Sequence, residues 1–128
     1  MDTSKSELLY SEIANKLNQI IPTEWSKILF YVEIEPGVVN HYYCFYEADS
    51  GNLVQFGDIA EKYSVDENTL KLEELKLTSF AEELNNEFEN NNQKRWTNMT
   101  FILQRSGEFH LDYGYENLND TSIVHRRK

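Results

Sequence analysis

Histidine and cysteine are the residues most readily used for metal binding and nucleophilic catalysis, and neither occurs at a useful spacing. The chain has three histidines, His41, His110 and His125, and one cysteine, Cys44. His41 and Cys44 are three residues apart in an alternating segment, and on a β-strand that spacing puts two side chains on opposite faces. Neither a Cys-x-x-Cys nor a His-Glu-x-x-His motif occurs,. We therefore predict no metal site, and we interpret Cys44 as an inert thiol among aromatic side chains.

Glutamate pairs are the next candidates, because general acid–base catalysis often uses two carboxyl groups. Three such pairs are Glu33 with Glu35, Glu73 with Glu74, and Glu82 with Glu83. A carboxyl group acts as a general acid where a dry or like-charged site raises its pKa, whereas adjacent glutamates on a helix usually face water. There is no Gly-x-Ser-x-Gly elbow and no glycine-rich phosphate loop,. The sequence therefore predicts no catalytic residues and no cofactor, and an enzyme is the least favoured hypothesis.

The charge of the chain indicates what kind of partner it would attract. Its 128 residues carry 22 acids and 12 bases, a formal net charge of −10. Such a protein repels nucleic acid and anionic membranes, and it speeds encounter with cationic partners. The start of the chain is polar and no apolar run approaches the roughly 20 residues that span a bilayer,. We predict a cytoplasmic protein that binds neither nucleic acid nor membrane.

Two helices are predicted from apolar residues at helical spacing. The first covers about residues 5–21, with Ser4 and Glu7 as a capping box and Pro22 as its stop,. The second covers about residues 66–91, and a break near Thr78-Ser79 is expected. Residues 58–65 are predicted to form a polar connection before it.

Strands are predicted where apolar and polar residues alternate or aromatic residues cluster. The predicted strands are residues 27–35, 38–48, 53–56, 96–103 and 109–113,. The order helix, three strands, helix, two strands favours the α+β class, with a single antiparallel sheet of about five strands and both helices on one face. We expect one domain over residues 1–128, with residues 114–128 as a tail that is poorly ordered unless it docks.

The strongest functional indication is a resemblance that covers most of the chain. It begins with an N-terminal helix that leads into Ile21-Pro22 and Trp25, and it continues through an aromatic strand. The residues that carry it are Tyr10-Ser11-Glu12-Ile13-Ala14, Ile20 to Lys27, Phe30-Tyr31-Val32-Glu33, His41 to Tyr46, Asp58-Ile59, Tyr63-Ser64-Val65, Trp96-Thr97, Phe101 and Gly107 to Tyr113. In these residues the chain resembles the YezG family of immunity proteins from Gram-positive bacteria. It departs from the family at its end, where Ile123 to Lys128 lacks the expected aromatic residues.

The resemblance implies an immunity protein that binds a cognate toxin directly and is not an enzyme. Such proteins protect the producing cell from an LXG-type or type VII-exported polymorphic toxin, whose toxic domain is typically a nuclease. The resemblance carries over no catalytic residues. We expect a monomer or a weak homodimer, since an exposed aromatic strand can pair with a copy of itself.

The partner-binding residues are predicted from charge and from their places near strand ends and loops. An acidic surface with aromatic anchors can seal a basic cleft on another protein. The candidates are Glu33, Glu35, Glu47, Asp49, Asp58 and Glu61, with Glu73 and Glu74 as second choices. The main alternative is an acidic adaptor, or a nucleic-acid mimic, that binds other basic proteins.

Overall fold

The computed structural model describes residues 4–117, which form an antiparallel five-stranded sheet and three α-helices. The strand order across the sheet is β3-β2-β1-β4-β5. The elements are α1 (Lys5–Ile20), β1 (Trp25–Glu35), β2 (Val38–Glu47), β3 (Leu53–Gln55), a 3₁₀ turn (Phe56–Asp58), α2 (Ile59–Tyr63), α3 (Glu67–Asn90), β4 (Asn98–Gln104) and β5 (Phe109–Gly114). The predicted α+β class with one antiparallel sheet is confirmed, with three helices in place of two.

One face of the sheet carries the core. Phe30 in β1 lies directly opposite Tyr43 in β2 and Phe101 in β4, and all three side chains are fully buried. Residues paired in an antiparallel ladder project to the same face, so the alternating apolar residues of each strand combine into one surface. That surface shares a single buried cluster with Ile13 of α1 and Leu77 of α3. The three described helices therefore pack on the same side of the sheet.

Helix α1 ends before Pro22, as predicted, and Trp25 packs at its junction with β1. The N–H of Glu7 donates to Ser4 Oγ at 3.1 Å, which caps the first turn of α1,. Trp25 is 5% exposed, and its indole N–H donates to Asn18 Oδ1 at 3.0 Å. This bond links the last turn of α1 to the start of the sheet, and β1 consequently begins two residues earlier than predicted.

Helix α3 is continuous, so the break expected near Thr78-Ser79 is wrong. Thr78 is buried, and its hydroxyl donates to the carbonyl oxygen of Leu75 at 3.0 Å instead of capping a new helix,. Leu70 joins the buried stripe, whereas Leu72 and Leu75 point to solvent with 60% and 62% exposure. These two leucines disturbed the helical pattern because they belong to the outer face.

The segment predicted as a polar connection over residues 58–65 is mostly helical. Helix α2 follows the 3₁₀ turn and ends at Ser64, whose φ of 55° lies in the left-handed region. Ile59 is fully buried, and Tyr63 and Val65 pack against the core. A single helical turn is too short to produce a periodic pattern, so the sequence signal was missed.

A buried hydrogen bond ties α3 to the sheet. The Tyr43 hydroxyl donates to Glu74 Oε2 at 2.6 Å, and Glu74 is only 8% exposed. His41 Nε2 lies 3.8 Å from Glu74 Oε1, beyond hydrogen-bond distance,. Burial, together with the bond to Glu74, raises the pKa of Tyr43 well above its usual value. The phenol therefore stays protonated and remains a donor.

A second buried bond fastens the other end of α3. Asn85 is 2% exposed, and its amide donates to the carbonyl oxygen of Trp96 at 2.6 Å. Trp96 is itself buried and precedes β4, which starts at Asn98 and not at the predicted position 96. The bond thus sets where the chain returns to the sheet.

Within residues 4–117, no helix has an apolar stretch of the length that crosses a bilayer. Of the tail predicted for residues 114–128, Gly114 belongs to β5 and residues 115–117 follow it, while the remainder lies outside the described residues.

We predict that Asn85→Ala lowers the free energy of unfolding by about 1–3 kcal/mol, because it leaves the buried Trp96 carbonyl without its donor. The exposed neighbour provides a matched control, and Asn86→Ala should change stability by less than about 0.5 kcal/mol. Urea denaturation followed by circular dichroism measures both values. Equal losses for the two variants would contradict a special role for Asn85.

We predict that Tyr43→Phe also lowers the free energy of unfolding by about 1–3 kcal/mol, since the buried Glu74 carboxylate loses its donor. Replacing both partners, as in Tyr43→Phe with Glu74→Leu, should restore part of the loss because neither half of the Tyr43–Glu74 hydrogen bond is then left without the other. Tyr46→Phe, at an exposed position, is the control and should be nearly neutral. A double variant no more stable than Tyr43→Phe would argue against this account.

Candidate functional site

The sheet has a second face, which lies opposite the described helices and which we call the open face. It carries the strand residues that alternate with the core residues. Leu29 of β1 pairs with Cys44 of β2 and Ile102 of β4, and Tyr31 pairs with Tyr42. These side chains are half-buried except for Cys44, which is 6% exposed. The open face therefore presents aromatic and aliphatic groups on a rigid backbone.

Glu33 and Glu35 lie on the open face, near the β1–β2 turn. The Tyr31 hydroxyl donates to Glu33 Oε2 at 2.8 Å, and Glu33 is only 6% exposed. Glu35 is half-buried at the end of β1. Both carboxyl groups are thus held in place by their surroundings and do not extend freely into solvent.

A second acidic region lies at the edge of the sheet beside β3, and we call it the β3 corner. It comprises Tyr46, Asp49, Leu53, Asp58 and Glu61. Tyr46 and Leu53 are cross-strand partners on the open face, with 40% and 49% exposure. Asp49 lies in the β2–β3 turn, and Asp58, Glu61 and Lys62 line a depression of about 410 Å³ beside Leu53. The exposed carboxylates of Asp58 and Glu61 therefore lie beside this apolar pair, and that of Asp49 lies in the turn that joins its two strands.

Glu47 lies next to this corner but already has internal partners. Its carboxylate accepts hydrogen bonds from the Tyr63 hydroxyl and, at 2.7 Å, from Ser50 Oγ. Lys62 Nζ lies 3.4 Å away. The bond from Tyr63, followed by that from Ser50, lowers the pKa of Glu47, so the carboxylate stays charged. Its contacts join α2 to the end of β2 and thereby position the β3 corner.

The two second-choice glutamates lie on the helical side of the molecule. Glu73 is held between Lys16 of α1, at 2.8 Å, and Lys76, at 2.9 Å. The hydrogen bond from Lys16, and then that from Lys76, lowers the pKa of Glu73. Glu74 points into the core, contrary to the expectation that adjacent helical glutamates face water, because successive helical residues project about 100° apart. The two side chains therefore connect elements of the fold.

The eight predicted residues thus fall in separate places. Asp49, Asp58 and Glu61 share the β3 corner with the nearby Glu47, Glu33 and Glu35 lie on the open face, and Glu73 and Glu74 lie on the helices. Tyr46 and Leu53 were not among the residues predicted to contact a partner. The alternation of the strands could have identified them, because the residues between core positions face the opposite side of the sheet.

A larger cavity of about 870 Å³ lies at the opposite end of the sheet. It is bounded by the β1–β2 turn, α3 and residues 95–97 and 115–117. Val38 at its rim is 50% exposed, and Glu82 and Arg95 also line it. This mixture of apolar, acidic and basic groups indicates no single ligand class. Within the described residues, no group of three or more His, Cys, Asp and Glu side chains is arranged to hold a metal ion.

Comparison with known proteins identifies the kind of protein to which this architecture belongs. The family model described as "Immunity protein YezG-like" matches residues 6–128. The chain is 36% identical over 118 residues to immunity protein YezG of Bacillus spizizenii, which covers 92% of this chain and 73% of the relative. It is 39% identical over 110 residues to immunity protein YezG of Bacillus subtilis, with 86% and 73% coverage.

A more distant relative is named for a secretion system. The chain is 26% identical over 111 residues to the type VII secretion system protein EsaG of Staphylococcus aureus, with 87% and 68% coverage. The family model covers all of the residues that carried the resemblance in the sequence. The chain belongs to the YezG-like family of immunity proteins, which are binding proteins and not enzymes.

Proposed function

We propose that this immunity protein binds and neutralises the nuclease domain of a cognate polymorphic toxin in the cytoplasm of the producing cell. The toxin belongs to the LXG-type proteins exported by a type VII secretion system. The type VII system named for the Staphylococcus aureus relative supports this choice of export route. The protein needs no cofactor for this role, because binding alone blocks the toxin.

The observation that carries the proposal is the β3 corner, where two exposed apolar side chains are bordered by carboxylates. A nuclease must hold a polyanion, so its substrate surface is rich in lysine and arginine. Asp49, Asp58 and Glu61 complement such a surface, whereas Tyr46 and Leu53 supply contact area that excludes water,. Inhibition follows because the nuclease surface that binds phosphates is occupied.

The net charge supports the same choice of partner. At −10, the chain attracts a cationic domain over distances near the Debye length, about 8 Å at physiological salt,. This attraction raises the rate of encounter, and the buried contacts at the interface set the rate of dissociation. Charge and apolar contacts therefore have separable effects on the kinetics.

The open face extends the proposed contact surface away from the corner. Tyr46 and Leu53 share this face with Tyr42 and Leu29, so a partner seated at the corner reaches the half-buried aromatic groups. Glu33 and Glu35 lie further along the same face. We place Glu35 at the far end of the contact surface, and we leave Glu33, Glu73 and Glu74 outside it because their carboxyl groups have partners within the chain.

A co-purification experiment tests the proposal directly. The tagged chain is expressed with the nuclease domain of each toxin encoded nearby, and the nuclease activity of every purified complex is measured. We expect one tight complex without activity. A fully active nuclease in the complex, or comparable binding to unrelated basic proteins such as histones, would contradict it. The second result would favour the acidic-adaptor hypothesis.

We predict that reversing two charges of the β3 corner, Asp49→Lys with Glu61→Lys, slows toxin association by about 3–10-fold at low salt and flattens its salt dependence. The matched control, Glu12→Lys with Glu83→Lys, makes the same change in net charge at exposed positions on α1 and α3. Surface plasmon resonance at several salt concentrations gives both rates. Equal slowing of association by the two double variants would mean that net charge alone, and not the position of the charges, determines the association rate.

We predict that Tyr46→Ala or Leu53→Ala weakens toxin binding by at least about 2 kcal/mol, mainly through faster dissociation. Leu72→Ala is the control, because Leu72 is 60% exposed on the outer face of α3. Thermal unfolding establishes that each variant remains folded. Unchanged dissociation rates in both corner variants would exclude these side chains as anchors.

A further inference from the structure

The outer edge of β5 is a second surface with binding capacity. β5 is the last strand of the sheet, and within residues 4–117 no segment pairs with its outer side. The strand runs from Phe109 to Gly114 and pairs continuously with β4. Its sequence, FHLDYG, contains no proline and no lysine, which are the residues that commonly protect an edge,.

The hydrogen bonds to β4 determine which backbone groups point outward. The N–H of Gln104 donates to the carbonyl oxygen of Glu108 at 2.8 Å, so Glu108 directs its backbone groups toward β4. Alternate residues of an antiparallel strand share that direction. His110 and Asp112 therefore also face β4, and Phe109, Leu111 and Tyr113 direct their N–H and C=O groups to the outer edge.

The opposite edge of the sheet is protected in ways that β5 is not. β3 has only three residues, and the chain leaves it directly for the 3₁₀ turn and α2. Short edge strands and covering elements are ordinary protections against unwanted pairing. β5 is twice as long, and its first residue, Phe109, is 45% exposed.

The residues of β5 are complementary to their own sequence read in reverse. In an antiparallel pair of two copies centred on Leu111, each Leu111 lies opposite its counterpart and Phe109 lies opposite Tyr113. His110 of one copy then lies opposite Asp112 of the other on the open face. The two-fold symmetry forms two such pairs. Both side chains are exposed, and His110 Nε2 already lies 3.8 Å from Asp112 Oδ2 within one chain.

We propose that β5 is the site of homodimerisation, where two copies join edge to edge into one ten-stranded sheet about a two-fold axis. A two-fold interface must be self-complementary, and this register places outward-facing residues opposite each other, as ladder hydrogen bonds require. The two neighbouring registers place His110 opposite His110, or Asp112 opposite Asp112. Of these three registers, only the one centred on Leu111 places a histidine opposite an aspartate.

The charge distribution also favours a second copy over a strongly charged partner at this edge. Residues 66–92 carry eight acids and two bases, a balance of −6, whereas residues 93–117 carry three acids and three bases. Two copies that meet at β5 therefore join through the least acidic part of the chain. The surface lies across the sheet from the β3 corner, and the inference does not rest on the proposed function.

Cysteine cross-linking without any toxin tests both the interface and its register. His110 and Asp112 of two copies form a pair without direct hydrogen bonds, with Cα atoms about 4.5 Å apart, which suits a disulfide. An equimolar mixture of H110C and D112C chains should therefore cross-link on oxidation. Each variant alone should not, because its own cysteines would be about 7–8 Å apart. Cross-linking of either variant alone, or of no sample, overturns the proposal.

Sedimentation of the chain at several concentrations supplies an independent measurement. We expect the unmodified chain to dimerise and His110→Asp to raise the dissociation constant about tenfold, since like charges then face each other twice. His110→Asp with Asp112→Lys should restore the dimer. Gln55→Asp is the control, because it adds the same charge at β3 and should have no effect.

A monomer at every concentration overturns the proposal, and so does a dimer unaffected by these changes. If the chain is monomeric but His110→Asp weakens toxin binding, the edge belongs to the toxin and not to a second copy. Loss of dimerisation with toxin inhibition intact would leave the proposed function standing, which keeps the two proposals separable.

Discussion

The fold depends on the confinement of large apolar side chains to one face of an antiparallel sheet. Phe30, Tyr43 and Phe101 align across three strands, and the helices have one surface to cover. Burial of that surface supplies most of the stabilisation, but it is not directional and does not fix where a helix lies along the sheet. The hydrogen bonds of Tyr43 with Glu74 and of Asn85 with Trp96 are directional, and they fix the position of α3 along the sheet. One lies in each half of the helix.

Much of this architecture could be predicted from the sequence because alternation is a strong local signal. Ile28, Phe30 and Val32 repeat every second residue, and they identified β1 and its buried face. Helix α2 and the unbroken course of α3 were missed for a different reason. A helix of one turn has no period to detect, and the hydroxyl of Thr78 bonds back to its own helix, which a sequence motif cannot distinguish from a cap,.

The candidate site was less predictable than the fold because charge has no obligatory period. Asp58 and Glu61 lie beside Leu53, and Leu53 meets Tyr46 only after β2 and β3 pair, so the arrangement of these residues is a tertiary property. Glu74 resembled its neighbour Glu73 in sequence, yet one is buried against Tyr43 and the other is held between two lysines. The two residues differ in the face of the helix that each occupies, and their identical residue type does not reveal that difference.

Alternation along the strands also bears on how such a protein changes over evolutionary time. Folding is encoded by one set of alternate residues, such as Phe30 and Tyr43, and the open face by the residues between them, such as Leu29 and Tyr42. A substitution at an exposed member of the second set, such as Tyr46, alters the surface without removing a core side chain. A duplicated gene can therefore diverge toward a new partner through changes at every second codon of a strand, while selection on stability acts on the codons between.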